Sequence, residues 1–168
     1  MLGPLGPPTG SSPALAPPRR KRRAAPSKKK RSAARAVDGD LQGTRVLVVE
    51  DDPMSARVLL AELDLRGCDL RVAHSAEEAL AILQLFPAQA LVVDLVLPGM
   101  SGLLLARLVT TDPTHRNAVV VAVSFLHGAG TERLAIESGC AAYLQKPIDA
   151  DNLARIISHH LQARSRNA

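Results

Sequence analysis

From Arg45 onward, short apolar runs and helix-period stretches alternate five times, and this alternation constrains the chain more than any single motif. Arg45–Val49, Asp69–Ala73, Ala90–Asp94, Ala118–Ser124 and Ala141–Gln145 read as strands. Each is too short for a helix, and four of them are too apolar for a sheet with one wet face. Asp69–Ala73 is less apolar and is expected nearer an edge. Asp52 and Pro53 form an N-cap and N1 pair, opening a helix to Arg66 that stops at Gly67. Ser75-Ala-Glu-Glu78 has capping-box spacing, and its helix ends before Pro87. Gly102–Thr111 reads as helix, and Thr131 is expected to cap a fourth helix ending at Gly139. Asp149 caps the last, with Ile148 and Leu153 as a staple across it. Leu153, Ile156, Ile157, His160 and Leu161 make that helix's core-facing stripe. Strand–helix units with short connections give an α/β fold, a five-stranded doubly wound parallel sheet covered on both sides.

Composition matters where the pattern stops. Residues 1–36 carry ten Lys/Arg and no acid, whereas the remainder is net acidic, so the overall charge of +5 averages two unlike parts. Residues 1–42 lack hydrophobic periodicity and are expected to be a disordered, Pro/Ala/Lys/Arg-rich tail, residues 43–163 the folded domain, and 164–168 a C-terminal tail. Arg19-Arg-Lys-Arg-Arg23 and Lys28-Lys-Lys-Arg31 suit either a solvated tail or an arm for nucleic acid or another polyanion, although no aromatic is interleaved to stack on bases. Cys68 and Cys140 have no paired or metal-type spacing and are expected to be reduced. No run approaches the ~18–20 apolar residues of a membrane span, so a cytoplasmic protein is expected.

In open parallel sheets, ligands bind beyond the carboxyl ends of the strands. Glu50, Asp51, Asp94, Ser124 and Lys146 all fall at or just past those ends. Three carboxylates gathered there repel one another unless a cation neutralises them. Mg²⁺, a hard cation taking oxygen ligands, suits the set and would bind the oxygens of a phosphoryl group reaching Asp94. Asp94 would then be the nucleophile, forming an acyl phosphate. Asp52 reads as a cap, not a ligand. The five histidines share no spacing with one another or with the cysteines, which argues against a role for them in metal binding or catalysis.

Residues 44 to 163 resemble the receiver domain of two-component response regulators. Val46-Leu-Val-Val-Glu-Asp-Asp52 is similar to the family's first strand and acidic pair, and Val93-Asp-Leu-Val-Leu-Pro-Gly-Met-Ser-Gly102 to its phosphoacceptor strand and loop. Ala122-Val-Ser124 resembles the switch strand, and Ala142-Tyr-Leu-Gln-Lys-Pro147 the closing motif. The separations agree too: 43 residues from Asp51 to Asp94, 30 on to Ser124, 22 more to Lys146.

The resemblance implies a flavodoxin- or CheY-like strand order 2-1-3-4-5 and a stand-alone receiver. Asp94 would accept phosphate from a histidine kinase or a histidine phosphotransfer protein. Asp51 would bind Mg²⁺ directly, helped by Glu50 and by the backbone carbonyl of Val96. Lys146 would pair with the phosphoryl group, Ser124 would hydrogen-bond it, and Tyr143 would change rotamer as a switch. The Lys146–Pro147 bond is expected to be cis. Output would pass to a downstream protein through the face of the fourth helix, fifth strand and fifth helix, where Arg133, Glu137, Gln145 and Arg155 are expected to be exposed. The alternatives are a weakly phosphorylated receiver acting through its basic tail, and an Mg²⁺-dependent phosphohydrolase. Such hydrolases usually carry a general-acid carboxylate two residues after the nucleophile; here that residue is Val96, so no turnover of external substrates is expected. One departure is Phe125, where receivers usually have Ala or Gly. Its ring is expected to narrow access to Asp94, or else to swing out and gate nothing.

Overall fold

The computed structural model describes Gly3 and residues 40–166, so the expected tail before Asp40 lies outside the described residues. Five strands and five helices alternate: β1 (Arg45–Val49), α1 (Pro53–Asp64), β2 (Asp69–Ala73), α2 (Ala76–Leu83), β3 (Ala90–Asp94), α3 (Gly102–Thr111), β4 (Val119–Ser124), α4 (Ala129–Glu137), β5 (Ala142–Gln145) and α5 (Ala150–Arg166). All strand pairs are parallel, in the order β2-β1-β3-β4-β5. This is the expected doubly wound sheet, with β2 at an edge.

The pleat sorts the apolar runs into two cores. Leu47, Val49, Leu91, Val93, Val120 and Ala122 face α2, α3 and α4, packing with Leu83, Leu105 and Ala135. Val46, Val48, Val92, Val121 and Val123 face α1 and α5, packing with Leu59, Leu63, Leu153 and Ile157. Every residue of β3 and β4 is buried, because a central strand has helices over both faces. The chain leaves β1 for β2 on one side and returns to β3 on the other. The reversal therefore lies between β1 and β3, whose carboxyl ends carry Glu50 and Asp94.

Local chemistry explains where the elements begin. Asp52 caps α1, accepting from the amides of Met54 and Ser55. Ser75 caps α2 by accepting from the Glu78 amide, but Glu78 reaches back to the His74 amide at 2.7 Å instead of closing on Ser75. Asp149 accepts from the Asp151 and Asn152 amides at the start of α5.

Most element ends fall within one or two residues of the sequence reading, and three differences go further. Thr131 does not cap α4; that helix starts at Ala129 behind Gly128, which has φ +114° and accepts from the Thr131 amide. A positive φ there is open to glycine without the Cβ clash that other residues meet. Leu41, assigned to the tail, is 1% exposed and packs with the α1/α5 core. The helix α5 continues through Arg166, where a tail from 164 was expected. Arg164 holds its last turn by donating to the carbonyls of Ala118 and Arg116.

Candidate functional site

The carboxyl ends of β1, β3, β4 and β5 bring the expected residues to one place. Glu50 follows β1, Asp94 ends β3, Ser124 ends β4, and Lys146 follows β5. All four are buried, while Asp51 is exposed beside them. The Lys146 ammonium donates to Glu50 Oε2 at 2.5 Å and to Asp94 Oδ2 at 2.6 Å. Asp94 Oδ1 accepts from the Val96 amide at 2.8 Å, which fixes the carboxylate plane. The Lys146–Pro147 peptide is cis, as expected.

One ligand oxygen from each of Glu50, Asp51 and Asp94 lies within 4.8 Å of the others. Two of the three carboxylates share one ammonium, and Asp51 makes no hydrogen bond among the described residues. The cluster thus retains net negative charge and offers hard oxygen donors only. That donor set fits Mg²⁺, which takes one or two carboxylates and keeps several waters. Val96 enters the site through its amide, and its side chain points outward, half exposed.

Burial and pairing pull the site's ionisations in opposite directions. Burial pushes the Glu50 carboxyl above its ordinary range, against the hydrogen bond and charge of Lys146. Burial also disfavours the Lys146 ammonium, but its bonds to Asp94 and Glu50 outweigh this and hold it charged. Lys146 keeps its charge because its ammonium sits between two carboxylate oxygens at hydrogen-bond distance.

The two expected switch residues converge on one backbone unit. Ser124 Oγ accepts from the Leu126 amide at 3.2 Å, and the Tyr143 hydroxyl donates to the Leu126 carbonyl. Used this way, the Ser124 hydroxyl still has its own proton to donate. Tyr143 packs against the α2–α4 core, and burial pushes its phenol upward. Phe125 is 64% exposed, yet its ring centroid lies 5.1 Å from the Lys146 ammonium, within cation–π range. The ring therefore stands at the mouth of the site rather than over Asp94. It also walls a groove of about 330 Å³ with Met54, Val58 and Ile148.

Sequence reasoning missed two braces. Glu77 accepts from the Met100 amide at 3.2 Å, tying α2 to the loop after Asp94, and His74 Nδ1 meets the Glu50 carbonyl at 3.0 Å. Both join residues more than twenty apart, so no local spacing signals them. Arg133, Glu137, Gln145 and Arg155 are all exposed on the α4–β5–α5 face, beside Leu134 and Ile136, each about half exposed. The thiols of Cys68 and Cys140 are free, and burial pushes both up to about 11. No helix among the described residues is long and apolar enough to cross a membrane.

Comparison with known proteins agrees with this geometry. Residues 46–158 match the family model of the response regulator receiver domain. Response regulator PleD of Caulobacter vibrioides is 34% identical over 105 residues, covering 62% of this chain. The chain spans only 23% of that relative's length. An uncharacterized 14.6 kDa protein of Leptolyngbya boryana is 31% identical over 118 residues, 70% of this chain and 90% of its own. The crystal structure of a receiver domain protein (CheY-like) from Methanospirillum hungatei superposes with a TM-score of 0.69 at 21% identity. It covers 76% of this chain and 100% of its own, a likeness of fold.

Proposed function

Because this chain belongs to the response regulator receiver domain family, we propose that Asp94 is its phosphoacceptor and that phosphorylation remodels its partner-binding surface. Receiver domains interact with histidine kinases and with downstream effectors, and generally bind Mg²⁺ through acidic residues. The observation that carries the reading is the buried Glu50–Lys146–Asp94 cluster with the exposed Asp51 at its edge.

A carboxylate oxygen of Asp94 would attack the phosphorus of a phosphohistidine as the P–N bond breaks. The imidazole nitrogen would leave with the bonding electron pair and take up a proton. Asp51 and Glu50, with the Val96 carbonyl, would hold Mg²⁺, which when bound supplies charge neutralisation at the phosphoryl oxygens. Lys146 already donates to Asp94 and needs only to swing its ammonium onto the transferred group. Ser124, whose proton is free, would donate to a phosphoryl oxygen. Its loop would then move toward Asp94 and strain the Tyr143 bond to Leu126. That couples the site to the α4–β5–α5 face, where Leu134, Ile136, Arg133 and Gln145 stand exposed to receive a downstream protein.

Turnover of external substrates is disfavoured in this reading, because Val96 supplies no general acid. The test is incubation of the full chain with Mg²⁺ and acetyl phosphate, followed by mapping of the modified residue. Asp94→Asn is expected to abolish the acid-stable, base-labile phosphate while leaving the circular dichroism spectrum unchanged. Undiminished labelling of that variant would remove Asp94 from the role.

A further inference from the structure

At the pole of the sheet opposite Asp94, the starts of β1 and β4, the residue before β3 and the last turn of α5 line an open cleft of about 610 Å³. Its polar wall includes Arg45, Gln89, His115, Asn117, Arg164 and Ser165, and among the described residues no aspartate or glutamate lines it. Both guanidiniums are anchored to backbone. Arg45 Nε donates to the Pro87 carbonyl at 2.7 Å, and Arg164 Nη1 to the carbonyls of Ala118 at 2.7 Å and Arg116 at 3.3 Å.

Carbonyls orient a guanidinium without neutralising it. Neither arginine meets a carboxylate among the described residues, and each uses one nitrogen of its fork, leaving the other donors uncommitted. Burial pulls the Arg164 guanidinium downward, as expected of a cation with no counterion among the described residues. His115 is 8% exposed, and its ring makes no hydrogen bond to any described residue. Asp112 spends its carboxylate on the Thr114 amide at 2.7 Å.

We propose that this cleft binds a small phosphorylated molecule of about mononucleotide size. Two pre-positioned guanidinium forks match phosphate oxygens, the anion for which planar bidentate donors are best suited. The volume falls within the ~300–1,000 Å³ of small-molecule sites. Gln89 Oε1 already accepts from the Arg45 amide, and the Ser165 hydroxyl donates to the Leu161 carbonyl. That leaves the Gln89 side-chain amide as a donor, Ser165 Oγ as an acceptor and both groups of Asn117 for a sugar or base, which a bare anion does not offer. A concave wall of this kind suits a small ligand better than a nucleic-acid backbone, which is met on open surface. The proposal stands independently of the role of Asp94, which lies at the other end of the strands.

The test is titration of the full chain, without Mg²⁺, with ADP and separately with inorganic pyrophosphate, followed by amide NMR. Saturable shifts are expected at Gln89, His115 and Asn117, unchanged in Asp94→Asn. The double variant Arg45→Gln/Arg164→Gln is expected to lose at least tenfold in affinity. Thr114→Glu, which puts a negative charge on the cleft wall and leaves both arginines anchored, is expected to lose as much and serves if the double variant fails to fold. Equal affinity for the two probes assigns recognition to the phosphate chain; tighter ADP adds the nucleoside. Absence of saturable shifts with either probe overturns the proposal. So do shifts confined to residues 1–39 or to the surroundings of Lys146, and so does undiminished affinity in Thr114→Glu.

Discussion

Phe125 would take no covalent part in the proposed phosphoryl transfer, yet its ring lies beside Lys146, the ammonium that donates to Asp94. Its ring lies against the Lys146 ammonium and walls the groove beside α1, so any donor or hydrolytic water approaching from that side meets it. In-line attack needs a clear path to phosphorus, and a cation–π contact of roughly 0.5–1 kcal/mol at an exposed site biases the lysine toward its present position. Phe125→Ala is therefore expected to speed labelling of Asp94 by acetyl phosphate severalfold and to shorten the life of the phosphoaspartate. Time courses of both reactions decide it; if neither changes, the ring gates nothing. The sequence alone singled out Phe125 by its neighbours in the chain. That the ring would settle at the mouth of the site, on a lysine 21 positions away, is a tertiary fact with no local signature.

Among the elements, the turn from β3 into α3 is the least tolerant of change. A Cβ built on Gly102 would stand 2.0 Å from the carbonyl oxygen of Asp94 and 2.9 Å from Leu95 Cα, both of them backbone that cannot swing aside. Gly102→Ala must therefore push α3 away from the strand that presents Asp94. Overpacking of this kind costs ~1–3 kcal/mol, and contact with rigid backbone puts it at the upper end. Urea unfolding is expected to show that loss, with a lower rate of Asp94 labelling in the surviving fold. The strands were legible because β3 and β4 are apolar up to their last residues, Asp94 and Ser124, and α1, α2 and α5 because Asp52, Ser75 and Asp149 announce their caps. The start of α4 was not, since Gly128 caps it with backbone alone and Thr131 only looks like a cap. The last turn of α5 was missed because Arg164 reads as a solvated charge until its carbonyl partners on the α3–β4 connection are known.

For the whole molecule, the site stores a repulsion that folding alone does not relieve. Three carboxylates face one ammonium, so a divalent cation that binds only the folded chain shifts the unfolding equilibrium. At a Mg²⁺ concentration of 100 times Kd the gain is about 2.7 kcal/mol. Thermal scans are expected to show Tm rising with Mg²⁺ in the wild type and staying flat in Asp51→Ala. An equal rise in that variant would show that Asp51 is not a ligand. The placement of the five chemistry-bearing side chains was readable because each ends a strand, and parallel strands end together. Their partition into four buried side chains and an exposed Asp51, and the sharing of Lys146 between Glu50 and Asp94, were not readable, because they depend on which side chain Lys146 reaches.

The path of the chain carries one more consequence. Asp40 and Arg166 line the same shallow groove, so the described domain begins and finishes at neighbouring points. Topologically it is almost a ring, cut at a place remote from Asp94. Such a ring can be reopened elsewhere, since exposed loop tips tolerate new termini. A short Gly/Ser bridge from Arg166 to Asp40, with new ends between the exposed Pro113 and Thr114, is expected to yield a circular permutant that folds and still takes phosphate at Asp94 in labelling assays. Every strand in it keeps the neighbours it has now, and only the order in which a ribosome would meet them is altered.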